Sequence, residues 1–222
     1  MKDATPRIKR FSCRIEEMRA LLPMKRIVDY ALTRKAIFDK SDSGIEFLIV
    51  GLEGVSARLT GGYAKNQDLP NHWNDTIIVL LKDGNTLFKA AATTEPGRYY
   101  TNNPMNPLGA ARVVQNTFYP QLWKFGRHQG YPALVQDGEI KVARDKNKDY
   151  ARAGDIIDQG NEFGINLHHG NDNPTIGLYS AGCQVIQKKR DFKALLALLQ
   201  DLKPTSGLFS YILFEGSLFC GQ

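Results

Sequence analysis

Two stretches of this chain carry residue types that can do chemistry. In Gly164-Ile165-Asn166-Leu167-His168-His169-Gly170, a histidine pair ends an apolar run. In Tyr179-Ser180-Ala181-Gly182-Cys183-Gln184-Val185-Ile186, a cysteine sits behind a serine, an alanine and a glycine. A cysteine nucleophile needs a base within reach, small neighbours that leave the sulfur accessible, and backbone N–H groups that can hold an oxyanion. The two stretches together supply those parts. The competing reading of Cys183 is a buried, inert thiol, the usual fate of a free cysteine.

Chain order narrows the chemistry. All four histidines (His72, His128, His168 and His169) precede Cys183. Papain-like enzymes place the cysteine first, on a helix N-terminus, and the histidine later, so any His–Cys pair here belongs to another arrangement. If residues 165–169 form a strand, side chains alternate between its faces. Ile165, Leu167 and His169 then share one face, and Asn166 and His168 the other, so only one of the two histidines can reach the sulfur.

The two stretches resemble the signature of the L,D-transpeptidase (YkuD-like) catalytic domain. There a strand ends in His-Gly or His-x-Gly, and Ser/Thr-His-Gly-Cys follows after a variable loop. His169-Gly170 matches the first form. His168 with Gly170 matches the second and better keeps the loop length, so His168 is taken as the base and His169 as the alternative. Thr93-Thr94-Glu95-Pro96-Gly97-Arg98-Tyr99-Tyr100 is similar to a Thr-Pro-x-Gly-x-aromatic stretch upstream in that family. The resemblance covers roughly residues 75 to 215.

It implies a mainly β, sandwich-like fold with a helix after the nucleophile, and a cysteine enzyme acting on stem-peptide amides of peptidoglycan or muropeptides. Histidine would lower the thiol pKa and give thiolate at neutral pH, N–H groups near Gly182 and Cys183 would hold the oxyanion, and a thioester would pass to water or to an amine. Ser180 and Gly182 would shape the nucleophile turn. Asn166, Gly170, Gln184, Arg98, Arg127 and His128 are the candidate substrate contacts. No cofactor or metal is implied. Two positions depart from the family pattern. Ala181 stands where the second histidine is expected, and Val185 where an arginine is common. Arg98, Arg112, Arg127 and Arg144 are the candidates to replace that arginine against a substrate carboxylate. The departures motivate the alternative of a catalytically inactive YkuD-like protein that binds glycan or a polyanion.

Composition is compatible with either. The chain has 222 residues and 42% hydrophobic content, enough for a real core. No apolar run approaches the ~18 residues needed to span a bilayer, so membrane insertion is not expected. The charge is +6, with an excess early in the chain at Arg7, Lys9, Arg10, Arg14, Arg19, Lys25, Arg26, Arg34 and Lys35. Such a face suits polyanions, but no nucleic-acid motif accompanies it. Cys13, Cys183 and Cys220 form no CxxC or zinc spacing. The N-terminal residues lack the apolar segment of a secretory signal. The expectation is a chain cytoplasmic at synthesis, delivered to the wall by lysis or an injection system if the wall is its target. Asp145-x-Asn147-x-Asp149 imitates the start of an EF-hand loop, but Tyr150 stands at the required glycine and Ile156 at the required glutamate. It reads as a polar turn.

The elements that must position the two stretches read as follows. Residues 1–40 form a basic helical extension, with Ser12 capping a helix through Leu22 and a second helix carrying Ile27, Val28, Ala31 and Leu32. Residues 41–222 form the catalytic domain. Ile45–Val50 is a strand. Thr76–Leu81 and Thr86–Ala92 form a hairpin about Asp83-Gly84, and Tyr131–Gln136 and Glu139–Ala143 a second about Asp137-Gly138. Residues 98–130 read as loop-rich. Phe163–His168 is a strand, Phe192–Leu202 a helix capped by Asp191, and Leu208–Phe214 the last strand.

Overall fold

The computed structural model describes residues 24–58 and 62–218. The helix predicted before Pro23, and with it Ser12, Cys13 and Cys220, lies outside the described residues. The rest is mainly β. A helix, α1 (24–33), leads into β1 (Asp39–Lys40) and β2 (Glu46–Glu53). A small ribbon follows, β3 (Val55–Ala57) with β4 (Tyr63–Lys65), and then the hairpin β5 (Asp75–Leu81) and β6 (Thr86–Thr93). After a short helix, α2 (Arg98–Asn102), come β7 (Ala110–Val113), β8 (Thr117–His128), β9 (Tyr131–Gln136), β10 (Ile140–Asp145) and β11 (Ile156–Gly160). The chain ends with β12 (Leu167–His169), β13 (Gln184–Ile186), α3 (Lys189–Asp201), β14 (Leu208–Glu215) and a 3-10 turn, Gly216–Leu218.

The main sheet runs β1-β2-β14-β8-β9-β12-β13-β6-β5, and β5 pairs back to β2. The ladder thereby closes into a barrel-like sheet, where the sequence had suggested a sandwich. Two of its pairings are parallel, β2–β14 and β12–β13. A second sheet, β11-β10-β7, stands beside it.

β2 reads Glu-Phe-Leu-Ile-Val-Gly-Leu-Glu and is apolar on both faces because both are covered. Phe47 and Ile49 enter the main core with Ile77, Val79, Trp123, Leu134 and Leu167. Leu48, Val50 and Leu52 face outward, where Met24, Ile27, Val28 and Ala31 of α1 bury them. The described part of the N-terminal segment is therefore packed on the barrel wall. The apolar face of α3 (Phe192, Leu195, Leu199) joins the main core. Its N-cap is Lys188; Asp191 lies in the first turn, where its charge suits the helix dipole without capping.

The strands of residues 98–130 and the second hairpin are where the structure departs most from expectation. β9 and β10 do not pair: β9 lies between β8 and β12, and β10 between β7 and β11. Asp137-Gly138 carries the chain from one sheet to the other. The hairpin is β8–β9, closed by Gln129 and Gly130, both at positive φ, as a two-residue type I′ turn requires. Pro120 sits inside β8 because the ladder to β14 is irregular there, and Ser210 Oγ accepts the Gln121 N–H.

Gly51 has a specific packing task. A Cβ there would collide with the Tyr211 hydroxyl on the neighbouring strand. That gap lets Tyr211 cross the core and donate to Gln184 Oε1 at 2.7 Å, immediately beyond the nucleophile stretch. Gly51→Ala is expected to lose about 1–3 kcal/mol in urea unfolding through overpacking. In a Tyr211→Phe background the same change should cost clearly less, because the struck atom is gone. Equal costs in both backgrounds would mean the hydroxyl is not what the missing Cβ accommodates.

Candidate active site

The parallel pair β12–β13 sets the site. Leu167 pairs with Gln184, His168 with Val185 and His169 with Ile186. Leu167 and Ile186 lie in the main core. Alternation then turns His168 and Asn166 to the opposite face, together with Cys183, which stands one step before β13. The register is closed at its two ends by Gln184 N–H to Asn166 O (2.8 Å) and Gly170 N–H to Ile186 O (2.7 Å).

His128, at the end of the β8 hairpin, joins the same face. Its ring stacks on His168 with centroids 4.7 Å apart. One ring nitrogen of His128, one of His168 and Cys183 Sγ all lie within 4.8 Å of one another. Sequence spacing gave no sign that His128 lies beside Cys183, because the β8–β9 hairpin alone brings it there.

The hydrogen-bond partners fix both tautomers. His168 Nδ1 lies 3.0 Å from His169 O, a pure acceptor, so Nδ1 carries the proton. Its Nε2 is then a lone pair, and it is buried with no partner. Asn166 Oδ1 accepts the Gln136 backbone N–H at 2.9 Å, so its Nδ2 must donate to His128 Nδ1, 3.0 Å away. His128 therefore carries its proton on Nε2. This arrangement does not suit a resident metal: a ligand His128 would need a lone pair on Nε2 and an acceptor beside Nδ1, where the Asn166 amide presents a donor.

Cys183 rests as a thiol. Its Sγ donates to Gly164 O at 3.3 Å. Burial pushes the thiol up to about 11, and burial pushes His168 down to about 4. Burial lowers His128 as well. The expected thiolate at neutral pH is thus corrected. The two groups are a neutral pair, because neither charge is solvated in the cleft.

The turn before Cys183 is built on Ser180. Its hydroxyl accepts the Gly182 N–H (3.1 Å) and donates to Cys183 O (2.8 Å). Gly182 has φ +137, and a Cβ there would lie 2.8 Å from Ala111 O, so only glycine fits. The Gly182 N–H, expected in the oxyanion hole, is thereby occupied.

Two open lobes flank the histidines, with volumes of about 530 and 600 Å³. Tyr100, His128, His168 and Tyr179 line both. Cys183, Phe163 and Arg144 line the first; Tyr131, Gly170 and Lys189 line the second. Arg144 stacks over Phe163 and is paired with Asp158, and it is the candidate arginine that reaches the cleft.

The other expected contacts fall elsewhere. Gln184 is fully buried, its amide spent on Tyr211 Oη and Thr94 O, and cannot touch a ligand. Arg98 is exposed off the cleft lining, and Arg127 turns back to Gly130 O. Arg112 is buried between Glu95 and Asp145. His169 lies on the face of β12 away from Cys183: it lines the second lobe and sits against Phe192 and Tyr131, with Nδ1 2.6 Å from Gly170 O. Asp145 spends its carboxylate on Arg112 and on the Asp149 and Tyr150 N–H groups, as a polar turn does.

Alkylation of Cys183 by iodoacetamide in the native protein should rise with pH toward a midpoint near 11 and not near the ordinary 9.0. The raised value also links to stability. The neutral thiol is favoured by the fold, so this contribution is whole below pH 9 and is lost as pH rises toward 11. Unfolding of wild type compared with Cys183→Ala across that window checks the sign. A native alkylation midpoint below 8 would contradict the neutral pair.

No family model, none of the curated proteins and no solved structure matches this chain, so its activity is argued from the cleft's own chemistry.

Proposed function

We propose that the protein is a cysteine-dependent acyl-transfer enzyme of the L,D-transpeptidase (YkuD-like) kind, cleaving stem-peptide amides of peptidoglycan or muropeptides through a thioester. One observation carries this reading: His168 lines the cleft with a ring nitrogen within 4.8 Å of Cys183 Sγ, and its Nε2 is a buried lone pair without a partner. A buried acceptor left without a partner costs about 1–3 kcal/mol. Receiving a proton from the nucleophile gives that atom a use.

The geometry supports general-base attack in place of a preformed thiolate. Rotation of Sγ away from Gly164 O brings the S–H toward His168 Nε2. As sulfur bonds to the carbonyl carbon, the proton passes to Nε2 and the carbonyl π electrons move to oxygen. His169 O, already accepting from Nδ1–H, stabilises the imidazolium. Collapse expels the amine, which takes the Nε2 proton, and water or a second amine then resolves the thioester. The open lobes on both sides of the histidines accommodate a substrate that continues past the scissile bond. Arg144 is the cation placed to meet a substrate carboxylate. Delivery to the wall by lysis or injection remains part of the same proposal. Among the described residues no helix is long and apolar enough to cross a membrane.

A second reading has an observation of its own. The thiol rests on Gly164 O with its pKa raised, which also describes an inert cysteine in a protein that only binds glycan. Incubation with purified sacculi and a disaccharide tetrapeptide, read by product mass, separates the two. The enzyme reading expects lost D-alanine, cut cross-links or exchange products, none of them with Cys183→Ala. Binding to sacculi without products would support the second reading.

His168→Ala should lower turnover ~10²–10⁴-fold, the usual worth of a general base, and His169→Ala much less. The acid limb of kcat/KM should lie near pH 4, because the base works while neutral and is lost only as pH falls through its lowered value. A limb near 6.5, or a larger loss in His169→Ala, would remove His168 from this role.

A further inference from the structure

The oxyanion hole expected at Gly182 and Cys183 is short of one donor. Gly182 N–H is bonded to Ser180 Oγ, and Gln184 N–H to Asn166 O. Among the described residues the Cys183 N–H has no backbone or side-chain acceptor recorded, while the Asn166 N–H is turned to the sulfur itself, so the Cys183 N–H is the donor of the expected pair that is left for an oxyanion. A tetrahedral oxyanion held by a single donor is poorly stabilised, and each donor of such a hole is typically worth about 10²–10³-fold in rate.

His128 has the missing donor. Its Nδ1 accepts from Asn166, so its proton sits on Nε2. It lines both lobes of the cleft, and its ring lies beside His168 and Cys183. Asn166 cannot turn over without taking its oxygen from the Gln136 N–H. That bond fixes the amide, and the amide fixes the imidazole tautomer. The stacked histidines are thereby given opposite roles by their hydrogen-bond neighbours. A carbonyl makes His168 a base at Nε2, and an amide makes His128 a donor at Nε2.

Resting on the acyl-transfer reading above, we propose that His128 Nε2–H is the second donor to the oxyanion, and that Asn166 is the positioning residue that locks it as a donor. His128 would then be a catalytic residue that touches the reacting oxygen. The attack itself balances as before: the C–S bond forms, the thiol proton goes to His168 Nε2, and the carbonyl electrons rest on oxygen between Cys183 N–H and His128 Nε2–H.

The test pairs two probes that differ only in their need for an oxyanion hole. Acylation of Cys183 by p-nitrophenyl acetate passes through a tetrahedral oxyanion. Alkylation by iodoacetamide does not. In His128→Phe, which keeps a ring against His168 but has no donor, acylation should fall about 10²-fold or more, while the alkylation-versus-pH curve stays within about twofold. His128→Gln, which restores an N–H, should recover part of the acylation rate. Thermal melts establish that each variant is folded.

Asn166→Asp gives a readout that a merely structural role would not move. The carboxylate still accepts from Gln136 N–H, but now also accepts from His128 Nδ1–H, which strips the proton from Nε2. Acylation should fall as in His128→Phe. The variant should also bind Co²⁺ through His128, His168 and the Cys183 thiolate, with a sulfur-to-cobalt charge-transfer band that wild type lacks. Unchanged acylation in folded His128→Phe, with Cys183→Ala inert, overturns this inference and leaves the acyl-transfer reading standing. No acylation of Cys183 in the wild type overturns both.

Discussion

The buried carboxylate of Asp75 is the constraint on which the placement of the nucleophile depends. Its Oδ1 accepts the Gly54 N–H, and its Oδ2 accepts both the N–H and the hydroxyl of Thr94. One side chain thus joins the end of β2 to the end of β6. Around it lies a group of charges: Glu53 is paired with Arg152, Glu95 with Arg152 and Arg112, and Arg112 with Asp145. With Asp68 beside them, these two guanidiniums face Asp75, Glu53, Glu95, Asp145 and Asp68. Burial, and then the neighbouring Glu53, Asp68 and Glu95 charges, push Asp75 well up, and burial pushes Glu53 up to about 7. The excess acid is relieved by holding protons. Partner loss in such a group strands a buried charge, which costs about 3–5 kcal/mol. The network therefore behaves as a unit, and Thr94 is its outlet toward the site. Thr94 O accepts from Gln184 Nε2, and Gln184 adjoins Cys183.

Burial explains the state of the Cys183–His168 pair as well as its position. A thiolate–imidazolium pair inside this cleft would have to offset the loss of hydration of two ions with one contact, which rarely balances. The fold keeps both groups neutral, and in the proposed acyl transfer His169 O is the acceptor that would make an imidazolium tolerable once a substrate carbonyl reached the sulfur. The low dielectric that holds the thiol protonated also strengthens every donor aimed at a developing oxyanion. Resting inertness and transition-state stabilisation have the same physical origin.

Local chemistry made part of this legible in the sequence. Asp83-Gly84 closes β5–β6 as expected, with Gly84 at φ +94. The same Asp-Gly pair at 137–138 misled, since Gly138 packs against Gln121 O and Leu122 at a crossing between sheets. The true hairpin turn, Gln129-Gly130, lacks the residue type that usually accepts positive φ at its first position. β8 was hidden by Pro120 and Gly126, which read as loop residues but are carried by a ladder irregularity and by the close approach of Val135. Alternation along one strand said that only one of the two histidines could reach Cys183, and the loop length of the resemblance, not the strand, favoured His168. His128 was not legible, because its place depends on a ladder between strands distant in sequence. The loss of the Gly182 N–H to Ser180 is likewise a tertiary detail of one turn.

Two neighbouring histidines make this site unusually dependent on register. A slip of one residue in β12 would exchange the faces of every side chain on it. His169 would turn to the Cys183 side of the strand and His168 would meet Phe192. What prevents this is not the histidines, whose rings differ only in their surroundings. Leu167 is fully buried in the main core, and Asn166, the next residue, would lose both Gln136 and His128 if it turned inward. The core therefore chooses which histidine stands on the Cys183 side. The apolar contact of Leu167 and the amide bonds of Asn166 specify the same register from opposite faces of the strand. That agreement is why a three-residue strand can hold an imidazole beside a sulfur.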